Sequence, residues 1–149
     1  MTAIGCQFMV RGLPAAQGSK RHVGRGVMVE QAGPKLKSWR EAVRSEASRV
    51  LELDAAAGPI DGPVQLTLRF YLPRPKAHYR TGKHAHELRG DAPLFVATTP
   101  DVDKLARSTT DALTDAGMWR DDRQVAELVA SKVYTDSAYG CLITVGALL

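Results

Sequence analysis

The chain has 149 residues, 44% of them hydrophobic and 24% charged, with a formal net charge of +4. That size and balance suit one domain with its own core and exclude a wholly disordered chain. Two cysteines, Cys6 and Cys141, exclude a disulfide scaffold or a cysteine-based zinc site, and no run of about 18 apolar residues is available to span a membrane.

Residues Gln7 to Arg11 read as a first strand that ends at Gly12 and Pro14. A loop rich in glycine and basic residues follows to Gly26, and Val27 to Glu30 reads as a brief strand. Gly33-Pro34 punctuates the chain, with Pro34 suited to a first helical turn. In KLKSWREAVRSEASRVLEL, the residues Leu36, Trp39, Val43, Ala47, Val50 and Leu51 recur at helical spacing and make one apolar stripe. VQLTLRFYL, Val64 to Leu72, alternates apolar and polar residues as a half-buried strand does.

Residues 73 to 99 have no clean period and read as a basic, flexible arm within the domain, with Phe95-Val96 pairing locally. A second helix is expected from Val102 to Ala116, stopped by Gly117. Gln124 to Tyr134 and Cys141 to Leu148 read as two closing strands around a turn at Asp136-Ser137. The order implies an α+β fold, one domain over 1–149, with a mixed sheet and two main helices on one face.

The distribution of charge says more than its total. Arg11 to Arg49 holds nine Lys/Arg against three Glu, and Pro73 to Gly90 holds five against Glu87. From Asp101 to Asp122 the sign reverses, with six Asp against Lys104, Arg107 and Arg120. Basic segments hold phosphates and clustered carboxylates hold a divalent cation, a combination that suits a nucleic acid substrate. From charge alone, solvated faces of an ordinary domain are the favoured account.

The acidic residues form two groups, Asp101 with Asp103 before or at the start of the second helix, and Asp121 with Asp122 after it. Carboxylates brought together repel, and a cation such as Mg²⁺ relieves the repulsion while supplying the means to hydrolyse a phosphodiester. Lys104 and Arg107 share one helix face beside Asp103. The plainer alternative is that Asp103 is an N-cap, Asp101 a favourable charge at a helix N-terminus and Asp121-Asp122 a surface turn.

Together, P-D-V-D-K-L-A-R-x-x-x-D-A-L-T-x-A-G-x-W-R-D-D-x-Q-V, from Pro100 to Val125, resembles the signature of the RusA family of Holliday junction resolvases, and Lys132 also fits. The first strand leading into Gly12, Leu13 and Pro14 is similar to that family's opening, while 30–99 agrees only in the order of elements. The resemblance implies a Mg²⁺-dependent endonuclease, with Mn²⁺ as a substitute, that acts as a homodimer on branched, four-way DNA.

It places metal ligands at Asp101, Asp103 and Asp122, with Asp121 in support, and charge stabilisation at Lys104 and Arg107. The family's D-N-L-x-K run reads D-K-L-A-R here, so arginine stands where the family has a lysine; arginine neutralises a phosphate but does not readily give up its proton. Lys20, Arg21 and Arg25 in the first loop, and Arg74, Lys76, Arg80 and Lys83 in the arm, are expected to grip DNA phosphates.

The alternatives are a nuclease for flaps or forks and a non-catalytic protein that binds branched DNA. Of the other conspicuous residues, His84 and His86 read as solvated, Trp39 and Trp119 as packing residues, and Tyr79 as a base-stacking residue. The N-terminal segment does not read as a signal peptide, so a cytoplasmic bacterial protein is expected, and its small size and basic character suit a phage or prophage origin.

Overall fold

Strict alternation builds the centre of the molecule. In β4, Val64–Pro73, the residues Val64, Leu66, Leu68 and Phe70 are fully buried, while Gln65, Thr67, Arg69 and Tyr71 turn to the opposite, half-covered face. The computed structural model describes every residue except Met1, Ser19, Val23, Arg25, Val27, Gln31 and Ala32, and the backbone alone for residues 2–4, 20–22 and 28–30.

The other elements are β1 (Thr2–Arg11), β2 (Lys20–His22), β3 (Met28–Glu30), α1 (Gly33–Leu53), α2 (Val102–Ala116), β5 (Val125–Thr135) and β6 (Gly140–Leu148). The main sheet has the order β1-β6-β4-β5, and β2 and β3 form a separate hairpin. Neighbours in the main sheet are antiparallel except β4 and β5, which run parallel because the long connection through α2 returns the chain to the same end of the sheet.

This is the α+β domain that the sequence implies. The apolar stripe of α1 supplies Leu36, Trp39, Val43 and Ala47, and α2 supplies Leu105, Ala106, Ala112 and Leu113, to one core against the sheet. Strand β1 starts earlier than the sequence suggests, because its first residues pair with the end of β6 across an irregularity between Ile4 and Cys6. Cys141 is buried, and burial raises its thiol pKa; half-buried Cys6 rises to about 11 through burial and then the nearby Asp54 carboxylate. No helix among the described residues is long and apolar enough to cross a membrane.

Residues 73–99 are a loop with turns of its own. Short 3₁₀ turns at Lys76–His78 and Gly82–His84 are tied by Arg80 N–H to Glu87 O at 2.8 Å and Arg89 N–H to His78 O at 2.9 Å. Phe95 then bridges to Val133 on the outer edge of β5, the local pairing that the sequence suggests.

The two helices are joined by a buried polar contact. Trp39 Nε1 donates to Thr109 Oγ1 at 3.1 Å, and that hydroxyl donates to Leu105 O at 2.9 Å. Thr109→Val strands the indole N–H and is expected to cost about 1–3 kcal/mol. Trp39→Ala, which also opens a cavity, should cost about 3–5 kcal/mol. Urea denaturation measures both; a Thr109→Val protein as stable as the parent would contradict this role for the contact.

Candidate active site

The two acidic groups sit at different levels of α2. Asp101 is the N-cap residue in place of Asp103: its carbonyl accepts Leu105 N–H at 3.0 Å, and Asp103 lies in the first turn. Asp101 makes no side-chain cap bond; its carboxylate faces Lys104 Nζ at 3.4 Å. Asp103 and Arg107 are exposed. The helix N-terminus favours negative charge at this level, and Lys104 and Arg107 set two cations beside the two carboxylates.

Strand β5 secures the approach to this turn. Lys132 Nζ donates to Thr98 O and Pro100 O, both at 2.7 Å. The loop after β1 secures the outer side. Ser108 Oγ donates to Ala15 O at 2.6 Å, and Gln17 N–H donates to Lys104 O at 3.0 Å. A side chain at Gly18, where φ is +103°, would begin 3.4 Å from Arg107 Nη1. The basic loop therefore leaves the body of the protein beside Lys104 and Arg107.

Further along the helix, Asp111 Oδ2 accepts from Gln17 Nε2 at 2.5 Å. Gln17 Oε1 accepts from Arg40 at 3.3 Å, and Arg40 also pairs with Asp115 at 2.8 Å. Gly117 closes α2 in the left-handed conformation, and Met118 and Trp119 turn into the core. Asp121 caps the next turn, accepting Arg123 N–H at 3.0 Å. Gln124 completes the cap: its Oε1 accepts Arg120 N–H at 2.9 Å and Asp121 N–H at 3.1 Å, while its Nε2 donates to Ile60 O and Gly62 O.

The turn presents Asp122 to Asp111. Partial desolvation, then hydrogen bonding to Asp121 and repulsion from Asp111, raise the Asp122 pKa. The backbone N–H of Arg123 lowers that of Asp121. Asp111, Asp121 and Asp122 thus meet, and Asp101 pairs with Lys104 in the turn that also carries Asp103, one turn before Arg107, but the two groups stay apart. Asp103 and Asp111 are separated by about 12 Å of helix rise, and β5 returns along α2 only after Asp122 has been left behind. Among the described residues, no group of three or more Asp, Glu, His or Cys is placed to hold a metal ion. The carboxylates are the right donors for a hard cation, but their arrangement within one chain does not fit one.

The expected phosphate contacts divide. Arg25 lies outside the described residues, as do the side chains of Lys20 and Arg21, although β2 pairs Lys20 with Glu30 and Arg21 with Val29 in backbone register. Lys76 and Lys83 are exposed, and Arg80 pairs with Glu87 at 2.9 Å. Arg74 is turned inward: its side chain is 6% exposed, donates to Pro93 O at 2.7 Å, lies 3.3 Å from Asp136 and packs over Tyr134. It braces the loop from within the protein.

His84 and His86 both approach Glu87, at 3.3 and 3.8 Å. Tyr79 donates its hydroxyl to Asp136. Trp119 is buried and donates to Thr114 Oγ1 at 2.7 Å, a packing role. Sequence reasoning passed over Gln17, Ser108 and Gln124. Only Gln124 left a local trace, since Asp121-x-x-Gln124 is a capping-box pattern.

Lys132 is a positioning residue for the start of α2. Lys132→Met keeps the stem but removes both donors, and should speed amide exchange at residues 101–105 while leaving the core of β4 protected. Exchange unchanged across 101–105 would show that the helix start holds itself.

The family model of endodeoxyribonuclease RusA matches residues 12–145, from the turn that leaves β1 to the later part of β6. No curated protein matches the chain. The match takes in both acidic groups, the loop that packs on α2, and Lys132. The chain belongs to the RusA family of endodeoxyribonucleases, the Holliday junction resolvases.

Proposed function

We propose that this chain is a Mg²⁺-dependent homodimeric resolvase that makes paired, symmetric nicks in four-way DNA junctions. Family membership carries the junction-resolving nuclease activity and a general dependence on metal. The observation that carries the rest is the start of α2, where Asp101 and Asp103 stand exposed beside Lys104 and Arg107. A residue that only capped the helix would spend its side chain on backbone N–H groups, and Asp101 does not.

In this reading Asp101, Asp103 and Asp122, which one chain alone does not bring together, hold the metal in the assembled homodimer, with carboxylate oxygens suited to Mg²⁺ and to Mn²⁺. When bound, a divalent cation supplies Lewis acidity at the phosphate and an activated water. The chain's own residues do the rest. Arg107 stays charged at any working pH and offers two parallel donors to a phosphate. Lys104 adds a point charge on the same face. Asp121, through its cap, holds Asp122 in place. Lys76, Arg80, Lys83 and the basic residues of the first loop contact phosphates at a distance and position the junction arms without reading sequence.

The measurement is nicking of a four-way junction, a flap and a fork by the purified protein, in Mg²⁺ and in EDTA, beside Asp103→Asn. Paired nicks on the junction that vanish in EDTA and fall at least about 100-fold in Asp103→Asn, with junction binding kept, are expected. Binding without cleavage in both proteins contradicts the nuclease reading, and cleavage confined to flaps or forks contradicts the substrate. Junction affinity should also fall steeply with salt, with a logarithmic slope of about −4 or steeper for five or more phosphate contacts. An affinity unchanged by salt would remove the basic loops from binding.

A further inference from the structure

Between the two helices lies a cleft lined mainly by cations. Leu36, Lys37, Arg40, Glu41 and Arg44 of α1 and Asp115 of α2 border a cavity of about 320 Å³. Lys37, Arg40 and Arg44 stand at i, i+3 and i+7, so they form one row about 10 Å long on the helix surface. Lys37 and Arg44 are exposed, and among the described residues neither forms an ion pair. Arg40 is the fixed member of the row. Its guanidinium donates to Asp115 Oδ2 at 2.8 Å and to Gln17 Oε1 at 3.3 Å, which uses two of its five N–H donors.

This row does not serve the helix that carries it. Like charges at i, i+3 and at i, i+4 repel, and Lys37 with Arg40 and Arg40 with Arg44 are two such pairs. The first turn of α1 also holds Lys35 and no acid, against the sign that the helix dipole favours. Asp115 offsets Arg40, while Glu41 closes no ion pair with Lys37 or Arg44. Packing gives no reason for exposed Lys37 and Arg44 to be charged. A polyanion seated on the row relieves the repulsion.

We propose that this row is a phosphate-binding surface for an arm of the DNA junction, which rests on the junction-binding part of the proposed function. Its place in the fold points to that partner. Asp103, Arg107, Asp111 and Asp115 recur every four residues and so share one face of α2. The exposed acid and base at the start of α2 thus lie on the same face as Asp115, which borders the cleft. From residue 103 to residue 115 the helix rises about 18 Å, roughly five base-pair steps of a duplex. A duplex that leaves the start of α2 along this face meets the α1 row at about the fifth step. The row's length then covers about three phosphate steps of one strand. Asp111 and Asp115, which lie on the way, are already held by Gln17 and Arg40. Contacts of this kind position an arm without reading its sequence.

Junction binding over a range of salt concentrations tests this surface. Lys37→Gln combined with Arg44→Gln keeps both stems and removes both charges. Each phosphate contact contributes about 0.9 to the logarithmic salt slope, so the double variant should bind more weakly and lose about 1.8 from its slope. Lys37→Arg combined with Arg44→Lys keeps the charges and should keep the slope. Arg49→Gln, nearer the end of α1 at a residue paired with Glu46, should keep it too. A double variant with the parent's slope overturns the surface. So does the same loss per charge in Arg49→Gln, which would mark a general effect of net charge. The readout is binding alone, so a parent that binds the junction without cutting it fails the nuclease reading and not this surface.

Discussion

The spacing along α2 is the constraint on which the rest depends. A helix is a rigid ruler, and this one sets Asp101 and Asp103 at its start and Asp111 two turns further on, where Asp122 joins it. Carboxylates without a cation repel, and the fold keeps the two groups apart within one chain. Each has its own compensation: Lys104 beside Asp101, and hydrogen bonding with Asp111 and Asp121 around Asp122. Neither group alone is placed to hold a metal.

The scaffold serves that spacing by fixing α2 from three sides. The indole of Trp39 reaches Thr109 from α1, the Ala15–Gln17 loop bonds to Lys104, Ser108 and Asp111, and Lys132 reaches the backbone before Asp101 from the sheet. Half of these contacts pair a side chain with a backbone carbonyl, and the bond from Gln17 to Lys104 is backbone to backbone. They fix position with little dependence on what sits on the exposed face. The face itself is left with Asp103 and Arg107, one acid and one base, both exposed.

Much of this was legible in the residues. The alternation in β4 and the stripe of α1 need only local periodicity, and both elements form nearly where the pattern puts them. The acidic groups were also legible as groups. Their relation was not, because it depends on which way the chain turns after Gly117: Met118 and Trp119 enter the core, and Asp121 and Asp122 stay beside the later half of α2. The inward turn of Arg74 was equally hidden, since its partners Pro93, Tyr134 and Asp136 are remote in sequence. The parallel pairing of β4 with β5 is likewise a property of the whole chain.

The central claim is that Asp103 and Asp122, separate in one chain, serve one metal centre. Mn²⁺ binding followed by electron paramagnetic resonance tests it without DNA. The account predicts that Asp103→Asn and Asp122→Asn each abolish the tight Mn²⁺ site and that their equimolar mixture regains part of it. Full Mn²⁺ affinity in the Asp122→Asn protein would contradict it, and would assign the centre to the start of α2 alone.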